Sequence, residues 1–126
     1  MQIAVIDNDT SLLRSLGIIL KRQGHTVQCF EDPKEALAMV SASWQPDVIF
    51  VDLVMPSMSG LELLSSAAPH LGASCRKAII TGHAEQLNEA DLVTAGVDAL
   101  FAKPLDVRKV REFAGRAPIR HDAKCL

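Results

Sequence analysis

Four polar positions stand directly after short apolar runs. Asp7, with Asn8 and Asp9 behind it, follows Ile3-Ala4-Val5-Ile6; Asp52 follows Val48-Ile49-Phe50-Val51; Thr81 follows Ile79-Ile80; Lys103, then Pro104, follows Phe101-Ala102. Taken singly, such residues start turns, cap helices or end strands. Taken together, on strands of one sheet, they would bring two carboxylates, a hydroxyl and an ammonium to one rim. Carboxylate oxygens suit a hard divalent ion such as Mg²⁺, which keeps several waters and favours phosphate oxygens. A carboxylate beside that ion can attack phosphorus, while the metal, the lysine and the hydroxyl hold the three equatorial oxygens of the transferring group. The chemistry this pattern suggests is phosphoryl transfer to an aspartate.

The elements that would position these groups are legible. The apolar runs at 3–6, 27–30, 48–51, 78–80 and 99–102 read as five strands, and 48–51, apolar without alternation, as a central strand buried on both faces. Between them, Thr10 or Ser11 is expected to cap a helix with a Leu12, Leu16, Ile19, Leu20 stripe that Gly24 ends. Asp32-Pro33-Lys34-Glu35 reads as cap, first-turn proline and capping-box glutamate of a helix burying Ala36, Leu37 and Val40. A third helix begins near Gly60, carries Leu61, Leu63 and Leu64, and stops at Pro69 and Gly72. A fourth, weakly patterned, spans Glu85 to Ala95 with Leu87, Ala90, Val93 and Thr94 on one side and Gly96 at its end. Asp106 caps a last helix with Val110, Phe113, Ala114 and Ala117 at i, i+3, i+4, i+7, and Pro118 ends it. Alternating strands and helices with right-handed crossovers predict an α/β fold, a doubly wound parallel sheet whose ligands bind at the carboxyl ends of its strands.

Composition agrees. A chain of 126 residues with 48% hydrophobic and 22% charged residues fits one globular domain and excludes collagen-like and disordered classes. The net charge of -2 divides unevenly: residues 1–102 carry 12 acids against 6 Lys/Arg, and residues 103–126 carry 3 against 7. No aromatic-interleaved basic patch or zinc pattern points to direct nucleic-acid binding. Cys29, Cys75 and Cys125 lack metal spacing, which fits a reducing cytosol. No apolar run approaches a membrane span or a signal peptide, so a cytoplasmic protein is expected.

The landmarks Asp7-Asn8, Asp52-Leu53-Val54-Met55-Pro56 with Gly60, Thr81-Gly82 and Lys103-Pro104 resemble the receiver domain of two-component response regulators over about residues 2–115. The resemblance implies a five-stranded sheet of flavodoxin-like order 2-1-3-4-5, a receiver domain over 1–117 and a short tail over 118–126. It implies that Asp52 accepts a phosphoryl group from a sensor histidine kinase or histidine phosphotransfer protein. Asp7, Asn8, Asp52 and the Val54 carbonyl would hold Mg²⁺, Lys103 would pair with a phosphoryl oxygen, and Thr81 would move its hydroxyl toward another. It implies a cis peptide before Pro104. The domain would be a signalling switch rather than an enzyme on an external substrate, its output passing in trans to a protein target through the fourth helix, fifth strand and last helix.

Four positions depart from the family pattern. Asn8 stands where a second acid is usual, removing a negative charge from the metal site. Leu100 stands where an aromatic switch residue is common. Val54 and His83 lie where side chains meet the hydrolytic water, which the first cannot orient. Asn8 and Leu100 suggest a rival reading, a degenerate receiver that docks partners without phosphorylation.

Overall fold

The computed structural model describes residues 1–115. Five strands alternate with five helices: β1 Gln2–Ile6, α1 Thr10–Arg22, β2 Thr26–Phe30, α2 Pro33–Ser41, β3 Val48–Asp52, α3 Gly60–Ala67, β4 Arg76–Thr81, α4 Glu89–Ala95, β5 Ala99–Ala102 and α5 Val107–Gly115. All strand pairings are parallel, in the order β2-β1-β3-β4-β5. This is the expected α/β doubly wound sheet.

The central strands carry most of the core. Every residue of β3 is buried, as its unbroken apolar run predicts. Val48 and Phe50 face one layer with Leu13, Leu16, Leu20, Val110 and Phe113, while Ile49 and Val51 face the other with Phe30, Ala36, Leu63 and Leu64. Each Val, Leu, Ile or Phe side chain among them contributes roughly 1.5–3 kcal/mol by leaving water. Phe50, Phe101 and Phe113 pack ring to ring with centroids 5.6 to 6.0 Å apart, and the Arg76 guanidinium lies 4.7 Å from the Phe113 ring centroid. Arg76 is itself buried.

Several helix ends differ from expectation. Asp9, rather than Thr10 or Ser11, caps α1, its side chain accepting from the Ser11 and Leu12 N–H groups. That start turns Leu13, Leu16, Gly17 and Leu20 toward the sheet, leaving Leu12 and Ile19 only half-buried. Gly17 admits the close approach: a Cβ there would stand 3.3 Å from Cys29 Sγ. Asp32 caps α2 with Pro33 in its first turn, but Leu37 is half-buried, and the reciprocal capping box forms at α3 instead, between Ser59 and Glu62.

The largest correction is α4. It begins at Glu89, not Glu85, because the Asn88 side chain accepts from the Asp91 N–H at 2.8 Å and closes the helix start there. Residues Ala84–Gln86 form a separate 3₁₀ turn. Val93 is 77% exposed, Ala90 and Thr94 are exposed, and the buried residue of α4 is Ala95. Gly96 ends it in the left-handed region at φ 73°, as expected. Asp106 accepts from the Arg108 and Lys109 N–H groups at the start of α5. Ala117, Pro118 and the boundary at 117/118 lie outside the described residues.

Candidate functional site at the strand ends

The sheet delivers the polar residues to one rim. Asp7 directly follows β1, and its N–H donates to the Phe30 carbonyl at 3.0 Å; Asp52 ends β3 opposite Ile80; Thr81 ends β4 opposite Ala102; and the Lys103 N–H donates to the Thr81 carbonyl at 2.9 Å. Backbone pairing thus fixes where each side chain starts. The Lys103–Pro104 peptide is cis.

Three side chains meet. Lys103 Nζ lies 3.0 Å from Asp7 Oδ2 and 3.5 Å from Asp52 Oδ1, so one ammonium bridges two carboxylates. Asp7 is fully buried; its Oδ1 accepts from the Asp9 N–H at 2.9 Å, which holds the carboxylate in place. Asp7 Oδ2, buried as well, has the Lys103 ammonium as its ionic partner. Burial raises the Asp52 carboxyl above the ordinary range and the Asp7 charge adds to this, while Lys103 opposes it. Burial works to lower the Lys103 ammonium, but hydrogen bonding and charge from Asp7 and Asp52 outweigh it and raise the group.

The other expected residues lie around this trio. Thr81 is 1% exposed, and its Oγ1 accepts from the His83 N–H at 2.8 Å. Asn8 and Val54 are exposed on the loops that follow β1 and β3, Val54 to 50%. His83 is exposed with Nδ1 3.9 Å from Glu85 Oε2. Leu100 is 41% exposed, whereas Phe101 packs inward, on the opposite face of β5, against Phe50 and Phe113.

Gly60 has a role that its place in the sequence motif does not state. A Cβ there would stand 2.5 Å from the Asp52 carbonyl oxygen, and the Gly60 N–H donates to the Leu53 carbonyl at 2.9 Å. Only a residue without a side chain lets α3 begin against the backbone of the aspartate.

The donor set fits a small divalent ion. Hard oxygens from two carboxylates are available, with the Lys103 ammonium as their ionic partner, and an amide and a loop carbonyl stand nearby in sequence. The set is lean in charge: among the described residues no group of three or more His, Cys, Asp or Glu side chains gathers for a metal.

The family model for the response regulator receiver domain matches residues 3–114. The chain is 30% identical to the transcriptional regulatory protein FlgR of Helicobacter pylori over 98% of this chain and 34% of that protein. It is also 30% identical to the two-component response regulator PhoP of Pseudomonas aeruginosa over 87% of this chain and 48% of that protein. The chain therefore spans only a third to a half of these relatives. A CheY-like response regulator receiver domain from Methanospirillum hungatei superposes with a TM-score of 0.81 at 30% identity, covering 89% of this chain and 88% of that one. A Burkholderia pseudomallei response regulator, solved with a phosphorylated aspartic acid, a calcium ion and citrate, superposes with a TM-score of 0.74 at 27% identity, covering 97% of this chain and 68% of that one.

Proposed function

The chain belongs to the response regulator receiver domain family, and from that premise we propose that it is a phosphorylatable signalling switch whose acceptor is Asp52. The observation that carries this reading is the convergence of Asp7, Asp52 and Lys103 at the carboxyl rim of the sheet. An Asp52 carboxylate oxygen attacks the phosphorus of a phosphohistidine; the O–P bond forms as the P–N bond breaks, and its electron pair leaves with the imidazole. The Lys103 ammonium is placed to follow negative charge onto the phosphoryl oxygens, and the Asp7 carboxylate, held by the Asp9 N–H, keeps that ammonium aimed at the acceptor. Thr81 offers its hydroxyl from the end of β4. Mg²⁺, when bound by Asp7, Asn8, Asp52 and the Val54 carbonyl, supplies charge neutralisation of the phosphoryl oxygens.

Receiver domains of response regulators interact with sensor kinases, and a sensor histidine kinase or histidine phosphotransfer protein is the donor in this reading, which places the chain in the cytoplasm. No helix among the described residues is long and apolar enough to cross a membrane. The output surface is α4, β5 and α5, where Val93, Leu100 and Val107 present exposed apolar side chains beside the bases of α5.

Intact-mass measurement after incubation with acetyl phosphate and Mg²⁺ tests the function. One added phosphoryl group that is lost in Asp52→Asn is expected. The absence of an adduct with any small phosphodonor or donor protein would favour the phosphorylation-independent docking module.

A further inference from the structure

A groove runs from the loop after β3 down between α3 and α4. It consists of two adjoining hollows, of about 380 and 370 Å³, that share Met58, Leu61 and Glu62. The lower one stays open because its facing positions are small: Ser65 and Ser66 on α3, Thr94 and Ala95 on α4. Met55, Met58, Leu61 and Leu87 supply apolar lining. Two of these are methionines, whose unbranched side chains adapt to the shape of a guest.

The charges along the groove have one sign. Glu62 and Asp91 line it, and among the described residues no Lys, Arg or His lines either hollow. The flanking segments continue the pattern: residues 60–67 and 84–95 together carry Glu62, Glu85, Glu89 and Asp91 and no base. An apolar lining bordered by carboxylates complements a segment with apolar side chains on one face and cations on its flanks. Since α3 and α4 have eight and seven residues, they are roughly 10–12 Å long, and about two turns of a helix match that length.

A second copy of the chain has no such helix to offer among its described residues. Its α5 carries Arg108, Lys109 and Arg111, but the apolar residues of that helix, Val110, Phe113 and Ala114, are buried in its own core. The groove is also separate from the α4, β5 and α5 surface, because Val93, Leu100 and Val107 line neither hollow.

We propose that the groove between α3 and α4 is a docking site for a basic amphipathic helical segment of another protein. The site does not depend on Asp52 as phosphoacceptor, and its test uses the unphosphorylated full chain.

The probe is a fluorescent Leu/Lys peptide with leucines at i, i+3, i+4 and i+7, followed by anisotropy. Saturable binding is expected, and a peptide of the same composition in scrambled order should bind about tenfold or more weakly, because it cannot bury its leucines together. Glu62→Gln with Asp91→Asn should weaken binding about three- to tenfold, the scale of two exposed ion pairs. Glutamine at 62 keeps the acceptor of the α3 capping box. Thr94→Arg, which puts bulk and like charge into the groove, should weaken binding further. Glu31→Gln with Glu112→Gln removes the same charge from exposed positions outside the groove and should leave affinity unchanged. Absence of binding, equal affinity for the scrambled peptide, or equal weakening by the two neutralised pairs would each overturn the proposal. Sedimentation velocity adds a further check: self-association of the unsubstituted chain that Thr94→Arg abolishes would give the groove to a second copy and overturn it too.

Discussion

The centre of the sheet and its α4–β5 edge are built by different rules. At the centre, β3 is buried along its whole length between two apolar layers, and Asp52 extends from it with its backbone against Gly60. At the edge, β5 alternates half-buried and exposed residues, and α4 has seven residues of which Ala95 is the buried one. A strand buried along its length positions Asp52, the proposed acceptor, while Thr81 and Lys103 stand on β4 and just after β5 beside the lightly held edge. The α4 side of the sheet is thus packed less densely than the strand that carries Asp52.

Breaking the centre should cost most. Phe50→Ala is expected to lower unfolding free energy by roughly 3–5 kcal/mol, whereas Val93→Ala on the exposed face of α4 should stay within about 0.5 kcal/mol. Urea denaturation of the two variants measures the contrast, and similar losses would erase it. Gly60→Ala should come next, at about 1–3 kcal/mol, because the added methyl collides with the Asp52 carbonyl. Slower labelling of Asp52 should accompany the lost stability.

The comparison sharpens through matched helix caps. Asp9→Ala at α1 and Asn88→Ala at α4 each remove a side-chain acceptor worth about 1 kcal/mol. Hydrogen exchange should show the first loss spread over the whole domain and the second concentrated in the amides of α4. A uniform response to both would mean that α4 is as firmly held as α1.

The smallest effect concerns the charge of the acceptor. Because burial and Asp7 raise the Asp52 carboxyl, ionising it costs the folded chain stability as pH rises from the ordinary carboxylate range, about 3.9, through the raised folded value. Asp52→Asn should thus be more stable than the unsubstituted chain at neutral pH, with an advantage that shrinks as pH falls through that window. Thermal unfolding at neutral and acidic pH checks the sign; a less stable variant at neutral pH would show that pairing with Lys103 outweighs burial.

Much of this was legible in the sequence because strand-end residues inherit their place from backbone pairing. Once Ile3–Ile6, Val48–Val51 and Phe101-Ala102 lie in one parallel sheet, Asp7, Asp52 and Lys103 must emerge on one rim. Helix starts were harder, since Asp9, Thr10 and Ser11 can all cap, and the choice depends on how α1 rolls onto β2 at Gly17. The Ser59-x-x-Glu62 capping box did carry a sequence signal, four residues of the kind that marks a helix start. For α4 no local pattern could serve: Leu87 and Val93 imitate a stripe, but Asn88 shortens the helix and the sheet edge offers little to bury it against. The burial of Arg76 over Phe113 is likewise tertiary, visible only when β4 and α5 are together.

The central claim is that Asp52 itself takes the phosphoryl group. Acyl phosphates are reduced by borohydride, so labelling with acetyl phosphate and Mg²⁺, trapping and peptide mapping locates the acceptor directly. Reduction confined to the peptide carrying Asp52 is the predicted result, and a label on Asp7 or His83 with Asp52 untouched would contradict the account.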